Sequence, residues 1–173
     1  MNVAKRDQWS LRRARAGGII NMDPIEAKLQ EFGLKLPPAP SPAGSYVPYR
    51  ISGDTLFLSG VLSTSGGTVQ TGQVGKDRTV EDGYMAAQNC ALNALASIKA
   101  GLGRLERVRE FILVNGYVNG VSGFDQSPQV IDGASELFVK LYGDAGKHAR
   151  AAVAVAGLPR NATVEIQVTV RFE

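Results

Sequence analysis

Arg150 opens the apolar run Ala151-Ala-Val-Ala-Val-Ala156 and follows a loop of small residues. A guanidinium at the mouth of such a strand would be half enclosed, and its planar fork matches a carboxylate. On residue types alone two partners fit it equally: a small acid from solution, or Glu165, fifteen residues further on, in an ion pair. Glu165 lies on a polar strand face and, outside such a pair, reads as a solvated carboxylate. His148 is the only histidine, in the loop Gly146-Lys147-His148-Ala149, and has no paired serine in recognisable context. Nucleophilic hydrolase chemistry therefore lacks its base, and a supporting or surface role suits His148 better. Cys90, the only cysteine, sits in a helical segment and reads as a small buried hydrophobe. No Cys/His cluster has metal-ligand spacing, and no phosphate-binding glycine loop follows a strand.

The frame that positions these groups can be read from hydrophobic spacing. Asp23-Pro24-Ile25-Glu26 has the marks of a helix start: Asp as N-cap, Pro in the first turn and Glu at capping-box spacing. Ile25, Leu29 and Phe32 continue it until Gly33, and Pro37-Pro38-Ala39-Pro40 makes a stiff connector. Residues 46–51 and 55–59 predict a hairpin around Ser52-Gly53-Asp54, after which Gly66-Gly67, Gly72 and Gly75 mark loop. Val80 to Lys99 carries Tyr84, Ala87, Ala91, Leu95 and Ile98 at spacings of three and four, an amphipathic helix. Val108 to Val118 predicts a strand, Val130 to Tyr142 a second amphipathic helix, and Ala151 to Ala156 a short strand. From 163 to 172 apolar and polar residues alternate strictly, so the last strand has one core face and one polar face. The order β-β-α-β-α-β-β, after an accessory helix, predicts an α+β domain with two helices on one face of a mixed sheet. The opposite face, small and polar, suits neighbouring subunits or solvent.

With 173 residues, 44% of them apolar, the chain can bury one core and is short for two. It divides into a basic leader (1–22), an accessory helix (23–36) and one main domain (37–173). The leader holds five basic residues against Asp7 alone, a net of +4 that leaves −1 for the rest. The pI near 9.1 thus belongs to the leader, and the main domain has no basic stripe to hold nucleic acid. The leader reads as a disordered extension ahead of Met22, with an organellar transit peptide as the alternative. No segment has the length of a membrane span, and a lone cysteine fits a reducing cytoplasm.

The segment Arg150-Ala-Ala-Val-Ala-Val-Ala-Gly-Leu-Pro159-Arg-Asn-Ala-Thr-Val-Glu165-Ile resembles the C-terminal signature of the RidA/YjgF family, also labelled endoribonuclease L-PSP. Pro40 to Tyr46 with Leu58-Ser59-Gly60 resembles its first hairpin, and Ala94 to Val108 its first helix and the turn after it. The resemblance spans residues 38–173. It implies a chorismate-mutase-like α+β subunit in a homotrimeric barrel with active sites between subunits. It further implies hydrolysis of 2-imino acids to 2-oxo acids and ammonia, without cofactor or metal. By similarity Arg150 would hold the substrate carboxylate and Glu165 would orient or deprotonate water. The Ala152 carbonyl would accept from the imine nitrogen, Tyr46 of a neighbouring subunit would line the pocket, and Ser59 and Gly60 would floor it. This sequence departs from the family pattern at two places, Ala152 for Cys and Asp132 for Asn. Asp132 would repel a carboxylate unless it is protonated, turned away or paired, and it also reads as a helix N-cap. Two other activities stand beside the deaminase: a non-catalytic trimer that binds small carboxylates, and a ribonuclease or translation inhibitor.

Overall fold

The computed structural model describes residues 22–173, so the reading of the leader, all but Met22, lies outside the described residues. The first helix, α1 (Pro24–Glu31), begins at Asp23 as expected, but the capping box is not made. Asp23 Oδ1 accepts from Ile25 N at 2.9 Å, while Oδ2 accepts from Leu105 N at 2.6 Å and Glu106 N at 3.1 Å. Glu26 turns away to Lys99 Nζ at 2.7 Å. One buried carboxylate therefore ties α1 to a short turn at Leu105–Arg107, and Ile25 and Leu29 join the main core.

The hairpin is β1 (Tyr49–Ser52) and β2 (Thr55–Leu58), starting three residues later than the sequence pattern suggests. Pro48 has no N–H to give a ladder, so Tyr46 stays in the preceding loop. The segment read as loop contains β3 (Val61–Leu62) and a small hairpin of β4 (Thr64–Ser65) and β5 (Thr68–Val69). Its turn is Gly66-Gly67, both at positive φ, which only glycine adopts freely. Helix α2 (Val80–Leu102) starts on a capping box: Thr79 Oγ1 accepts from Asp82 N, and Asp82 Oδ2 accepts from Thr79 N.

Strand β6 (Val108–Asn119) leads into α3 (Ser127–Tyr142), which begins three residues before the expected Val130. Pro128 falls in its first turn, where a missing N–H costs nothing. Asp132 consequently lies in the second turn and is not the N-cap. Strand β7 (Ala149–Val155) and strand β8 (Val164–Phe172) complete the chain. The sheet runs β1-β2-β8-β6-β7, with β3 also on β8; β6 and β7 are parallel and the other pairs antiparallel. This is the mixed sheet of an α+β domain. Helices α2 and α3 cover one face, where Val164, Ile166, Val168 and Val170 of β8 are fully buried. Gly116 on β6 lies under Ile131, and Gly133 lies against the Tyr84 carbonyl, so α3 seats closely on both the sheet and α2.

Candidate functional site at the β7 edge

β7 is one of the two edges of the sheet, β1 being the other, and it begins two residues earlier than the apolar run, which puts Arg150 inside it. Arg150 pairs with Val114 of β6, a core residue, so its side chain lies on the helix-covered side. There it meets α3. Arg150 Nη1 donates to Asp132 Oδ1 at 2.6 Å and to Ser135 Oγ at 3.1 Å. A guanidinium nitrogen of this kind carries two hydrogens, so Nη1 is saturated. Nε and Nη2, the two-pronged edge of the group, have no partner among the described residues. The Arg150 side chain is 25% exposed and that of Asp132 42%, so the acid stands further into solvent than the base it holds.

His148 joins this cluster from the loop before β7. Its Nδ1 lies 2.8 Å from the Gly146 carbonyl, and its Nε2 lies 3.0 Å from Ser135 Oγ. A carbonyl only accepts, so the neutral ring carries its hydrogen on Nδ1 and leaves Nε2 as an acceptor. Ser135 then donates to His148 and accepts from Arg150, and one hydroxyl serves both. Burial lowers the His148 pKa, the bond to Gly146 opposes this, and the Arg150 charge lowers it further. The neutral ring is therefore the resting form at pH 7.

Glu165 occupies the other side of the sheet. It lies between the buried Val164 and Ile166 of β8 and pairs with Tyr117 of β6, which in turn pairs with Val153 of β7. Arg150 and Glu165 are thus held apart by β6 and by the thickness of the sheet, and no ion pair joins them. Glu165 packs on Gly60, where any β-carbon would collide with its carboxylate. Half-buried there, its pKa is raised by desolvation.

Two open clefts divide the other site residues. One, of about 660 Å³, runs along the end of β7 from Ala152 and is walled by Val121, Phe124 and Ser127. The second, of about 670 Å³, is lined by Tyr46, Ser59, Arg50, Phe57 and Gln167. In it Ser59 Oγ donates to the Val47 carbonyl at 2.6 Å, and the Tyr46 hydroxyl accepts from Ala43 N at 3.1 Å. The chain therefore brings Arg150 to Asp132, and Glu165 to Gly60, but leaves Tyr46 and Ala152 in separate clefts. Ser135 was not singled out by the sequence. The available signal was helical spacing: it lies three residues after Asp132, one turn along the same helix face. Among the described residues no group of three His, Cys, Asp or Glu side chains could hold a metal ion.

A family model described as YjgF/chorismate mutase-like, with a provisional endoribonuclease label, matches residues 26–170. The chain belongs to this YjgF family. The match starts within α1, consistent with the packing of that helix into the core. Protein TCP17 of Trypanosoma cruzi is 42% identical over 150 residues, which cover 86% of this chain and 94% of that protein. The crystal structure of Atu1372 from Agrobacterium tumefaciens, a protein of unknown function, shares 44% identity and superimposes with a TM-score of 0.82. That comparison covers 87% of this chain and 93% of the other. A Shewanella oneidensis protein that carries the provisional endoribonuclease label is 32% identical with a TM-score of 0.83, covering 86% and 99% of the two chains. The YjgF fold is thus shared along nearly the whole described chain.

Proposed function

We propose that this protein is a homotrimeric imine deaminase that hydrolyses 2-imino acids to 2-oxo acids and ammonia. The observation that carries the reading is the state of Arg150. Its Nη1 is spent on Asp132 and Ser135, which orients the group and leaves the Nε/Nη2 edge to pair with a carboxylate. Water adds to the imine carbon of the substrate so held, giving a tetrahedral carbinolamine; Glu165 takes the proton from that water. Breakage of the carbon–nitrogen bond, with a proton delivered to the nitrogen, releases ammonia and forms the 2-oxo acid. Burial raises the pKa of Glu165, which makes its carboxylate a stronger base than an exposed one. In the trimer a neighbouring subunit closes each cleft and brings to one substrate the groups that a single sheet keeps apart, with Tyr46 as part of that wall. The Ala152 main chain accepts from the imine nitrogen, so the identity of the side chain at 152 matters little.

The test is to generate 2-iminopropanoate with an amino-acid oxidase and trap residual imine with semicarbazide. Wild-type protein is expected to lower the trapped imine, Arg150→Ala to abolish that effect, and Arg150→Lys, which keeps charge but loses the fork, to weaken it strongly. Equal trapping with and without wild-type protein would overturn the deaminase assignment. A second reading, a non-catalytic trimer that binds small carboxylates, is favoured by the opposite placement of Arg150 and Glu165 on one sheet. It predicts ligand binding without any change in trapping. The endoribonuclease label of the family finds little support in residues 23–173, whose net charge is −1.

A further inference from the structure

We infer that Asp132 makes this site selective for zwitterions, ligands with a cationic nitrogen on the carbon next to a carboxylate. The inference rests on the proposed binding role of Arg150 and narrows the ligand it takes. Arg150 does not stand alone as a cation: Asp132 is bonded to it at 2.6 Å, and the pair together carries no net charge. A bare carboxylate arriving at the Nε/Nη2 edge meets the guanidinium together with the fixed negative charge beside it, and the two largely cancel. A ligand with an adjacent cation meets complementary charge twice. Only Oδ1 of Asp132 is engaged, by Arg150; Oδ2 has no partner among the described residues. The free donor edge, on Arg150, and the free acceptor, on the better exposed Asp132, therefore belong to two directly bonded side chains, one from β7 and one from α3.

The packing makes this a fixed pattern of charge. Ser135 takes the second hydrogen of Nη1 and is itself held by His148, so Arg150 cannot turn its fork toward Asp132 without breaking a bond to α3. Asp132 sits in the second turn of α3, whose Gly133 is pressed on the Tyr84 carbonyl. Of the other acids on α3 and the adjoining loop, Asp144 pairs with Lys147 and Glu136 accepts from the Tyr84 hydroxyl, while Glu81 of α2 also acts on Tyr84. Asp132 is thus the acid that faces Arg150. A 2-imino acid whose nitrogen is protonated is a zwitterion of the required kind, and a 2-amino acid is its stable counterpart.

The test needs no turnover. The full-length protein is titrated calorimetrically near neutral pH with three probes: 2-aminobutanoate, butanoate and 1-aminopropane. Wild type is expected to bind 2-aminobutanoate roughly tenfold or more tightly than either single-charge probe. Asp132→Asn, which keeps the shape and removes the charge, is expected to bind butanoate more tightly than wild type and to lose its preference for 2-aminobutanoate. Arg150→Ala should bind none of them. Equal affinity of wild type for butanoate and 2-aminobutanoate, an unchanged preference in Asp132→Asn, or no binding of any probe would each overturn the inference. Circular dichroism and light scattering of Asp132→Asn confirm that the comparison is between folded proteins. A wild type that prefers 2-aminobutanoate but leaves imine trapping unchanged sinks the deaminase and spares the selectivity. One that deaminates without this preference does the reverse.

Discussion

Ser135 has one hydrogen to give and spends it on His148, which leaves its lone pairs for Arg150. Removing the hydroxyl frees one N–H of Nη1 and allows the guanidinium to rotate about its bond to Asp132. Ser135→Ala is accordingly expected to raise KM for a 2-imino acid several-fold, roughly the loss of one hydrogen bond to a charged group, with a smaller effect on kcat. His148 makes a second residue-scale prediction, in stability. Its folded pKa lies below the ordinary value of 6.5, so the unfolded chain binds more protons as pH falls through that region. The contribution is fully present above pH 6.5 and is lost as pH drops through the folded pKa. Thermal melts at about pH 7.5 and about pH 5.5 should show a larger loss of Tm in wild type than in His148→Gln, and equal losses would contradict the assignment. Glu165 has the opposite shift: its raised pKa means that activity dependent on its ionised form should fade on the acid side at a higher pH than an ordinary carboxylate would impose.

At the scale of elements, the site depends on how closely α3 can approach. Gly133 faces the backbone of α2 at the Tyr84 carbonyl, so even one methyl group forces the helices apart. Gly133→Ala is expected to cost about 1–3 kcal/mol, read as a lower denaturant midpoint, and to loosen the Arg150–Asp132 contact with it. Wild-type stability in that variant would mean that α3 has room the close contact denies. Asp23 works in the same way at the far end of the chain. Its carboxylate serves three amides, two of them in a turn more than eighty residues away. Asp23→Ala should destabilise by about 2 kcal/mol, more than a simple helix cap, because buried N–H groups lose their acceptor.

At the scale of the whole molecule, the uncovered face of the sheet carries Phe57 and Val153, 45% and 46% exposed, together with Tyr117, Glu165 and Gln167. Apolar groups of that size on a flat sheet fit a face that meets other copies. Light scattering of wild type is expected to report a trimer, and Val153→Arg, which sets a charge on that face at the β7 edge, a smaller species. A monomeric wild type would sink the trimer, and with it the shared cleft in which Arg150, Glu165 and Tyr46 can act together.

The long helices and strands, and which of their faces is apolar, were decided by the sequence alone, whereas the two-residue strands β3, β4 and β5 are too short to show a period. Helix and strand periodicity are local, and so α2, α3, β6 and the strict alternation of β8 could be read along the chain. Arg150 could be identified by type and setting, and so could Glu165 fifteen residues later. Their partners could not be read in this way. Arg150 meets Asp132 rather than Glu165 because β6 inserts between β7 and β8, and strand order is a property of the whole sheet. Asp23 capped α1 as its spacing predicted, yet left Glu26 to Lys99 because a distant turn supplied two more amides. The start of α3 lies at Ser127, ahead of the apolar periodicity that begins at Val130; Pro128 in the first turn is as much a mark of a helix start as Pro24. Spacing in the chain names the groups able to do chemistry; tertiary structure selects which of their charges come within reach, because hydrogen bonds and ion pairs act across angstroms of space and are indifferent to separation in sequence.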